Sequence, residues 1–208
     1  MNREDTFVLF DTCVLLKPRM SDVIMDLRAE DVMSVHWTEA IDEEFLKNAV
    51  EQFQVSPTAA ERRLRAFKRR CPEWQVFFTD VHEATVPDAV DLKDRHVAAA
   101  ALALRTYAED QSTQVLLVTD NIKDFAKEEM QGLGIQVLRS GDFLNMAFRA
   151  EPRAVERAID QVVLDLKAPP YTLAELLFAL REQGANEVVD ALAATRGVTP
   201  KRKHQLGS

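Results

Sequence analysis

Two short apolar runs, each followed at once by a polar turn, constrain most strongly what this 208-residue chain can fold into. Residues 7–10 precede Asp11, and residues 115–118 precede a turn at residues 119–121. A run that is apolar on both alternating faces suits a parallel strand covered by helices on both sides. Ligands of such open sheets bind beyond the carboxyl ends of the strands. If the two runs are neighbouring strands, Asp11 and the turn therefore face one shared cleft.

The rest of the pattern predicts an α/β fold followed by helices. Further strands are expected at residues 32–36, 74–79 (with Val81) and 135–138, and helices alternate with them, which indicates a parallel sheet with right-handed crossovers. From Ser140 onwards the pattern is helical only. We predict three parts: an α/β domain at 1–148, a small all-helical extension at 149–200 and a basic, flexible tail at 201–208.

Polar residues mark where several of the helices are expected to begin. Ser21 and Asn186 have the side chains and positions of N-terminal caps. Thr172 and Glu175 are spaced as a capping box, which also opens a helix. Asp124 is expected to begin a short helix after the second apolar run.

Composition narrows the class of protein. No apolar run approaches the roughly 20 residues that span a membrane. The first residues lack the charged and apolar pattern of a signal peptide, which favours a cytoplasmic protein. Cys13 and Cys71 are too few and too isolated for a disulfide framework or a zinc site. The net charge of −8 disfavours general nucleic-acid binding, unless the acids surround a cation that reverses the local charge.

Acidic residues near the predicted cleft carry the chemical information. They follow strand ends, open helices or, in one case, lie on the apolar stripe of a helix: Asp11, Glu44, Asp91, Asp94, Asp120 and Asp124, with Asn121 among them. All of them except Glu44 have an ordinary alternative as a turn or cap residue. Glu44 is harder to explain in that way, because a buried Glu is costly unless it is paired or bound to a cation. Clustered carboxylates repel one another, and Mg²⁺ or Mn²⁺ removes that repulsion. The pattern therefore indicates a metal site, and one or two such ions can activate water and stabilise the charge on a phosphodiester.

Four motifs in these segments together resemble the PIN-domain ribonucleases. The motifs lie at residues 10–16, 37–48, 91–100 and 118–125, in the order that the family has them. With the helical C-terminal part, the chain is most similar to the VapC-type toxins that carry a small helical domain. The resemblance implies a three-layer PIN-like fold, with a central parallel sheet flanked by helices, and a Mg²⁺- or Mn²⁺-dependent endoribonuclease.

The resemblance also assigns catalytic residues position by position. Asp11 matches the acid after the first strand, Glu44 the acid on a helix, and Asp94 the third acid, with Asp91 just before it. Together these residues are expected to hold the metal ion while water attacks the RNA backbone.

The fourth acid of the family pattern falls on an amide in this chain. That position is Asn121, so the fourth ligand is Asn121 itself, Asp120 or Asp124. The resemblance further assigns three positions in the same motifs to the placement of water or substrate: Thr119, Asn48 and Arg95.

The expected partners are RNA and protein. Arg62, Arg65 and Arg69 share one side of a predicted helix that begins at Pro57, here called the arginine face. This face either guides RNA or is an ordinary solvated helix surface. The resemblance implies single-stranded or looped RNA, such as tRNA or another structured RNA, as substrate. It also implies a cognate antitoxin that covers the cleft, and a homodimer.

Two other functions stay open on the residues alone. Asn121 in place of an acid is compatible with a PIN-fold RNA-binding module that has lost catalysis. A strand-end Asp also begins the motif of haloacid-dehalogenase-type phosphatases, but that motif has a second Asp where Cys13 stands here.

Overall fold

A parallel sheet forms the centre of the computed structural model, which describes residues 1–108, 112–167 and 170–203. Its strands are β1 (Thr6–Phe10), β2 (Ser34–His36), β3 (Gln114–Val118) and β4 (Ile135–Leu138). The strand order is β2-β1-β3-β4, and each neighbouring pair is parallel. The predicted α/β class is confirmed.

Helices flank this sheet and form the C-terminal part of the chain. In chain order they are α1 (Thr12–Leu15), α2 (Pro18–Ala29), α3 (Glu39–Glu51), α4 (Pro57–Arg70), α5 (Arg95–Tyr107), α6 (Lys127–Gly132), α7 (Ser140–Ala150), α8 (Pro152–Asp165), α9 (Leu173–Arg181) and α10 (Asn186–Arg196). Short 3₁₀ turns occupy Asp80–Thr85, Leu92–Asp94 and Ile122–Asp124. Among the described residues, no helix has the length and apolar character needed to cross a membrane.

The register of the two central strands brings the apolar runs together. Phe10 is paired with Val118 at the carboxyl ends of β1 and β3. The backbone N–H of Asp11 donates to Val118 O at 3.1 Å, which extends the pairing by one residue. Asp11 and Thr119 therefore leave the sheet side by side, as predicted for neighbouring strands.

Helices bury the central strands. The alanine-rich α5 packs against β1, β3 and β4, and its residues 97–104 are buried. Small side chains at these positions let the helix approach the sheet closely. The ring of Phe10 makes an edge-to-face contact with Phe143 of α7, with 5.5 Å between ring centroids. The apolar pattern of β1 is thus explained by helices packed against it.

The C-terminal helices pack directly onto the rest of the chain. α8 packs against α2, and α7 contacts α8 and α10. A Cβ atom at Gly141 of α7 would lie 2.2 Å from Gln183 O, so glycine is required for this close approach. The predicted capping box of Thr172 and Glu175 is present at the start of α9. The domain boundary predicted at residue 148 falls inside α7.

The prediction of a strand between residues 74 and 81 is wrong. This segment forms a single parallel bridge, between Trp37 and Gln75. The pairing cannot extend further, because the backbone that follows Trp37 turns away at Thr38, which caps α3. Phe78 then adopts a φ of 55°, a left-handed conformation that interrupts an extended chain.

α2 begins earlier than the sequence pattern predicted. Pro18 is its first residue, where the fixed φ of proline suits a first helical turn and its missing N–H costs nothing. Ser21, predicted as the cap, lies inside the helix, and its hydroxyl donates to Lys17 O at 2.8 Å. The hydroxyl therefore bonds back to the preceding turn rather than capping a new helix.

The starts of α6 and α10 also differ from the prediction. Asp124 ends a 3₁₀ turn, and α6 begins only at Lys127, because Ala126 has a left-handed φ of 43°. Asn186 is the first residue of α10, and Ala185 occupies the cap position without a side-chain bond.

The described part of the basic tail is bound to the start of α9. The Lys203 ammonium donates to Pro170 O at 2.7 Å and lies 4.2 Å from the centroid of the Tyr171 ring. The backbone N–H of Lys201 donates to Ala174 O at 3.1 Å. Residues 204–208 of the predicted flexible tail lie outside the described residues.

Candidate active site

Asp11 is held at the carboxyl end of β1 by two side-chain donors. The hydroxyl of Thr119 donates to Asp11 Oδ2 at 2.6 Å, and the Cys13 thiol donates to the same oxygen at 3.1 Å. Burial, aided by the Asp11 charge, raises the pKa of Cys13 to about 12, so the thiol stays protonated as a donor. Both of these side-chain hydrogen bonds are made to Oδ2 rather than to Oδ1.

Asp94 lies at the start of α5, with one carboxylate oxygen lacking a hydrogen-bond partner. The residue is 9% exposed, and its buried Oδ2 atom accepts no hydrogen bond. Burial raises the pKa of Asp94 to about 6. The Lys93 ammonium, 3.8 Å away, opposes this rise, whereas the charges of Asp11, Asp124 and Asp91 add to it. The structure thus gathers these predicted ligands into one region of mutual repulsion.

Glu44 of α3 is tied to the segments that carry the other two principal acids. The Thr12 hydroxyl donates to Glu44 Oε2 at 2.8 Å, and Thr12 directly follows Asp11. His96 Nε2 lies 3.4 Å from Glu44 Oε1, without the geometry of a hydrogen bond, and His96 follows Asp94 by two residues. The Glu44 side chain is 41% exposed, so it lies at the edge of the apolar stripe rather than within it.

The sequence reasoning did not identify Thr12 and His96 as neighbours of Glu44. Thr12 and His96 are distant from Glu44 in the sequence, so no local pattern predicts these contacts. The available signal was that Thr12 directly follows Asp11 and that His96 lies two residues after Asp94, since residues close to a metal ligand often orient other ligands.

Of the candidates for the fourth ligand, Asp124 shares the Lys93 ammonium with Asp94. Its Oδ2 atom is 3.2 Å from the Lys93 ammonium, and its backbone oxygen accepts from Asp91 N at 3.0 Å. Asn121 is exposed, and its backbone N–H donates to the Thr119 hydroxyl at 3.1 Å. Asp120 is engaged elsewhere, because its carboxylate pairs with Lys17 and accepts from Ser140.

The carboxylates of the candidate site suit a hard divalent cation chemically, but they are not arranged as a ready-made metal site. Within residues 1–108, 112–167 and 170–203, no group of three or more His, Cys, Asp or Glu side chains is arranged to hold a metal ion. However, the available donors are carboxylate oxygens, which Mg²⁺ and Mn²⁺ prefer, and Asp94 Oδ2 is buried without a hydrogen-bond partner. A bound cation would therefore have to displace Lys93 and draw the carboxylates together.

The two predicted substrate-positioning residues beside these acids make structural bonds. The Arg95 guanidinium donates to three backbone oxygens, those of Glu83, Val86 and Pro87, and so holds the loop before Asp91. Asn48 lies one helical turn after Glu44 and accepts from Gln52 at 3.1 Å on the exposed side of α3. Neither contact directs these side chains at the acids.

The basic residues of α4 divide into two groups. Three pair with buried or half-buried acids of other helices: Arg63 with Asp22, Lys68 with Asp42 and Arg70 with Asp26. The arginine face is exposed instead. Its only ion pair among the described residues joins Arg65 to Glu61 at 3.4 Å, one turn earlier on the same helix. This face is therefore available to a polyanion without breaking the packing of α4.

The comparisons with known proteins bear on the helical part of the chain. Residues 141–194 match the family described as the VapC50 C-terminal domain. No curated protein and no solved structure matches the chain. The matched segment comprises most of α7, together with α8, α9 and α10, and it follows directly on the α/β fold that carries the acids. The match supports assignment of this chain to the VapC-type PIN toxins that have a C-terminal domain.

Proposed function

We propose that the chain is a metal-dependent endoribonuclease and the toxin of a type II toxin-antitoxin pair. The observation that carries this proposal is the buried Oδ2 atom of Asp94, which accepts no hydrogen bond and has only the Lys93 ammonium, 3.8 Å away, as a counter-charge. Burial raises the pKa of this carboxyl to about 6. A buried acid with a raised pKa, set among other acids, is typical of sites that bind a cation or perform catalysis. The match of residues 141–194 to a VapC domain supports the same proposal.

Each acid has a distinct position toward the proposed Mg²⁺ or Mn²⁺ ion. Asp11 would bind through Oδ1, because Thr119 and Cys13 fix its other oxygen. Asp94 would bind through its unpartnered Oδ2, and Glu44 would approach from α3. When bound, the ion would supply Lewis acidity and activate water for attack on phosphorus.

The fourth ligand proposed is Asp124, with Asn121 and Asp91 beside it. Displacement of Lys93 from Asp124 would free both a carboxylate and an ammonium. The freed ammonium would then be close enough to the cleft to pair with the RNA phosphate. Thr119 keeps its role as the donor that orients Asp11.

The proposed substrate is single-stranded or looped RNA. Its backbone can be splayed into an open cleft, whereas a regular duplex holds the scissile phosphate in place. The arginine face would attract the strand through its phosphates. An antitoxin that inserts a basic side chain among the acids would block the same site, and the toxin would act as a homodimer.

The decisive experiment is cleavage of total RNA with and without Mn²⁺ by three purified proteins: the wild type, Asp94→Asn and Asp88→Asn. Asp88 is an exposed acid in the loop before Asp91, so it controls for the loss of one charge near the site. We expect metal-dependent cuts from the wild type and Asp88→Asn, and none from Asp94→Asn. Equal cutting by all three would indicate a contaminating nuclease and would refute the assignment.

A catalytically impaired RNA-binding module is the second candidate, because Asn121 replaces an acid and no ready metal site is present among the described residues. Metal-dependent stabilisation distinguishes the two functions. An intact site should raise the melting temperature progressively with Mn²⁺ concentration. An impaired module should bind RNA with no such rise and with no cleavage.

A further inference from the structure

Asp120 connects the turn after β3 to the first turn of α7. Its Oδ1 atom accepts from the backbone N–H of Ser140 at 3.2 Å and from the Ser140 hydroxyl at 2.9 Å. Its Oδ2 atom accepts from the Lys17 ammonium at 2.6 Å. Both oxygens are thus engaged, which explains why this acid does not join the cluster around Asp94.

The carboxylate of Asp120 acts as the missing cap of α7. Ser140 is the first residue of that helix, and the preceding Arg139 makes no side-chain capping bond. A carboxylate at this position satisfies a free N–H group and interacts favourably with the helix dipole. The Arg139 guanidinium also donates a hydrogen bond to the backbone oxygen of Asp120, at 3.1 Å.

The same turn is bound to the candidate active site. The backbone N–H of Asp120 donates to Cys13 Sγ at 3.3 Å, and the hydroxyl of Thr119 donates to Asp11 at 2.6 Å. A displacement of Asp120 would therefore move two groups that fix the Asp11 carboxylate. A continuous series of hydrogen bonds leads from α7 through Asp120 to Asp11.

α7 in turn is the helix on which the C-terminal part is packed. Its Asn145 side chain donates to Gly184 O at 3.1 Å and accepts from Val188 N at 3.3 Å. Gly141 lies against the backbone at residues 183–184. The C-terminal helices therefore set the position of the first turn of α7, which is hydrogen-bonded to Asp120.

We propose that Asp120 is a positioning residue, through which the C-terminal domain holds the Thr119 turn, and with it Asp11, in the geometry needed for catalysis. The proposal rests on the ribonuclease function proposed above. It assigns the C-terminal domain a role in the reaction itself, in addition to any contact with a partner.

The test compares Asp120→Asn, Asp120→Ala and Ser140→Ala with the control Asp142→Asn. Asp142 is an exposed acid in the same first turn of α7 and makes no side-chain bond among the described residues. The three measurements are kcat and KM on one RNA, Mn²⁺ affinity by calorimetry, and amide hydrogen exchange of residues 119–121 without metal.

We expect Asp120→Ala to lower kcat and Mn²⁺ affinity by about tenfold or more each, with little change in KM. Exchange at residues 119–121 should rise in the same variant. Asp120→Asn, which keeps an acceptor oxygen, and Ser140→Ala should show smaller changes of the same kind, and Asp142→Asn none. A general loss of stability would instead lower the melting temperature and leave the Mn²⁺ affinity of the folded protein unchanged.

Two results would overturn the proposal. Unchanged kcat and Mn²⁺ affinity in Asp120→Ala would leave Asp120 only as a helix cap, even if the melting temperature fell. Complete loss of Mn²⁺ binding in Asp120→Asn, equal to that in Asp94→Asn, would make Asp120 a direct ligand instead. A wild-type chain that neither binds Mn²⁺ nor cleaves RNA would refute the ribonuclease function, whereas the exchange measurement would still show whether Asp120 couples α7 to the turn.

Discussion

Replacing Asp94 with asparagine should make the metal-free protein more stable at neutral pH, although the change removes a proposed catalytic ligand. Burial raises the pKa of this carboxyl from 3.8 to about 6, so the charged form is less favourable in the folded protein than in the unfolded chain. That difference corresponds to at most about 3 kcal/mol at pH 7, since each pKa unit is about 1.4 kcal/mol. Asparagine has nearly the same shape and no charge.

The pH dependence follows from the direction of the shift. Between pH 4 and 6 the folded protein holds the Asp94 proton while the unfolded chain releases it, so wild-type stability falls as pH rises through this range. The advantage of Asp94→Asn should therefore be near zero at pH 4 and reach its maximum near pH 7. Asp26 also has a pKa raised to about 6 by burial, but it is present in both proteins and largely cancels in the difference.

The assay is urea unfolding of both proteins in EDTA at pH 4, 5.5 and 7, repeated at pH 7 with saturating Mn²⁺. Mn²⁺ should reverse the order of stability, because at about 1,000 times the dissociation constant binding stabilises the wild type by about 4.1 kcal/mol and does not stabilise the variant. A variant that is less stable than the wild type in EDTA at pH 7 would refute the account of Asp94 as a buried charge that Lys93 compensates only in part.

Three further predictions address other parts of the molecule. Gly141→Ala should lower the free energy of unfolding by about 1–3 kcal/mol, because its Cβ would overlap backbone atoms of the turn before α10. Chemical denaturation measures this loss, and Gly132→Ala is the control, because a Cβ at that position meets nothing within 4 Å. Replacing all three residues of the arginine face with Glu should weaken RNA binding and flatten its dependence on salt concentration, and an unchanged slope in filter binding would leave it as a solvated surface. Lys93→Met should increase Mn²⁺ affinity in calorimetry, because the cation no longer competes with an ammonium for two acids; equal or weaker binding would show that Lys93 does not compete.

The sequence correctly predicted those parts of the fold that depend on the local pattern of apolar residues. The apolar run before Asp11 and the one before Thr119 required burial on two faces, and β1 and β3 are indeed neighbours. The sequence pattern predicted a strand around Gln75, where the structure has a single bridge to Trp37. The length of this pairing depends on where the backbone after Trp37 turns away, and no local pattern encodes that position.

In the candidate site, too, local pattern predicts some residues, whereas contacts between distant segments could not be predicted. Asp11 and Asp94 could be named from their places at a strand end and a helix start. The bonds of Asp120 could not, since its partners Lys17 and Ser140 are distant in sequence and meet it only through the order of the strands. The contact of Glu44 with Thr12 likewise depends on how α3 packs beside α1.

The packing of α8 against α2 has a consequence for how the molecule unfolds. Buried side chains of the C-terminal helices, such as Val155 and Leu192, belong to the same apolar cluster as Val8 of β1. Opening the C-terminal helices would expose one side of α2, so partial unfolding there cannot leave the sheet domain intact at low cost. The most slowly exchanging amides of α8 and of β1 should therefore open together, in a single global event. A shortened chain that ends at residue 148 should be aggregation-prone rather than a smaller folded enzyme.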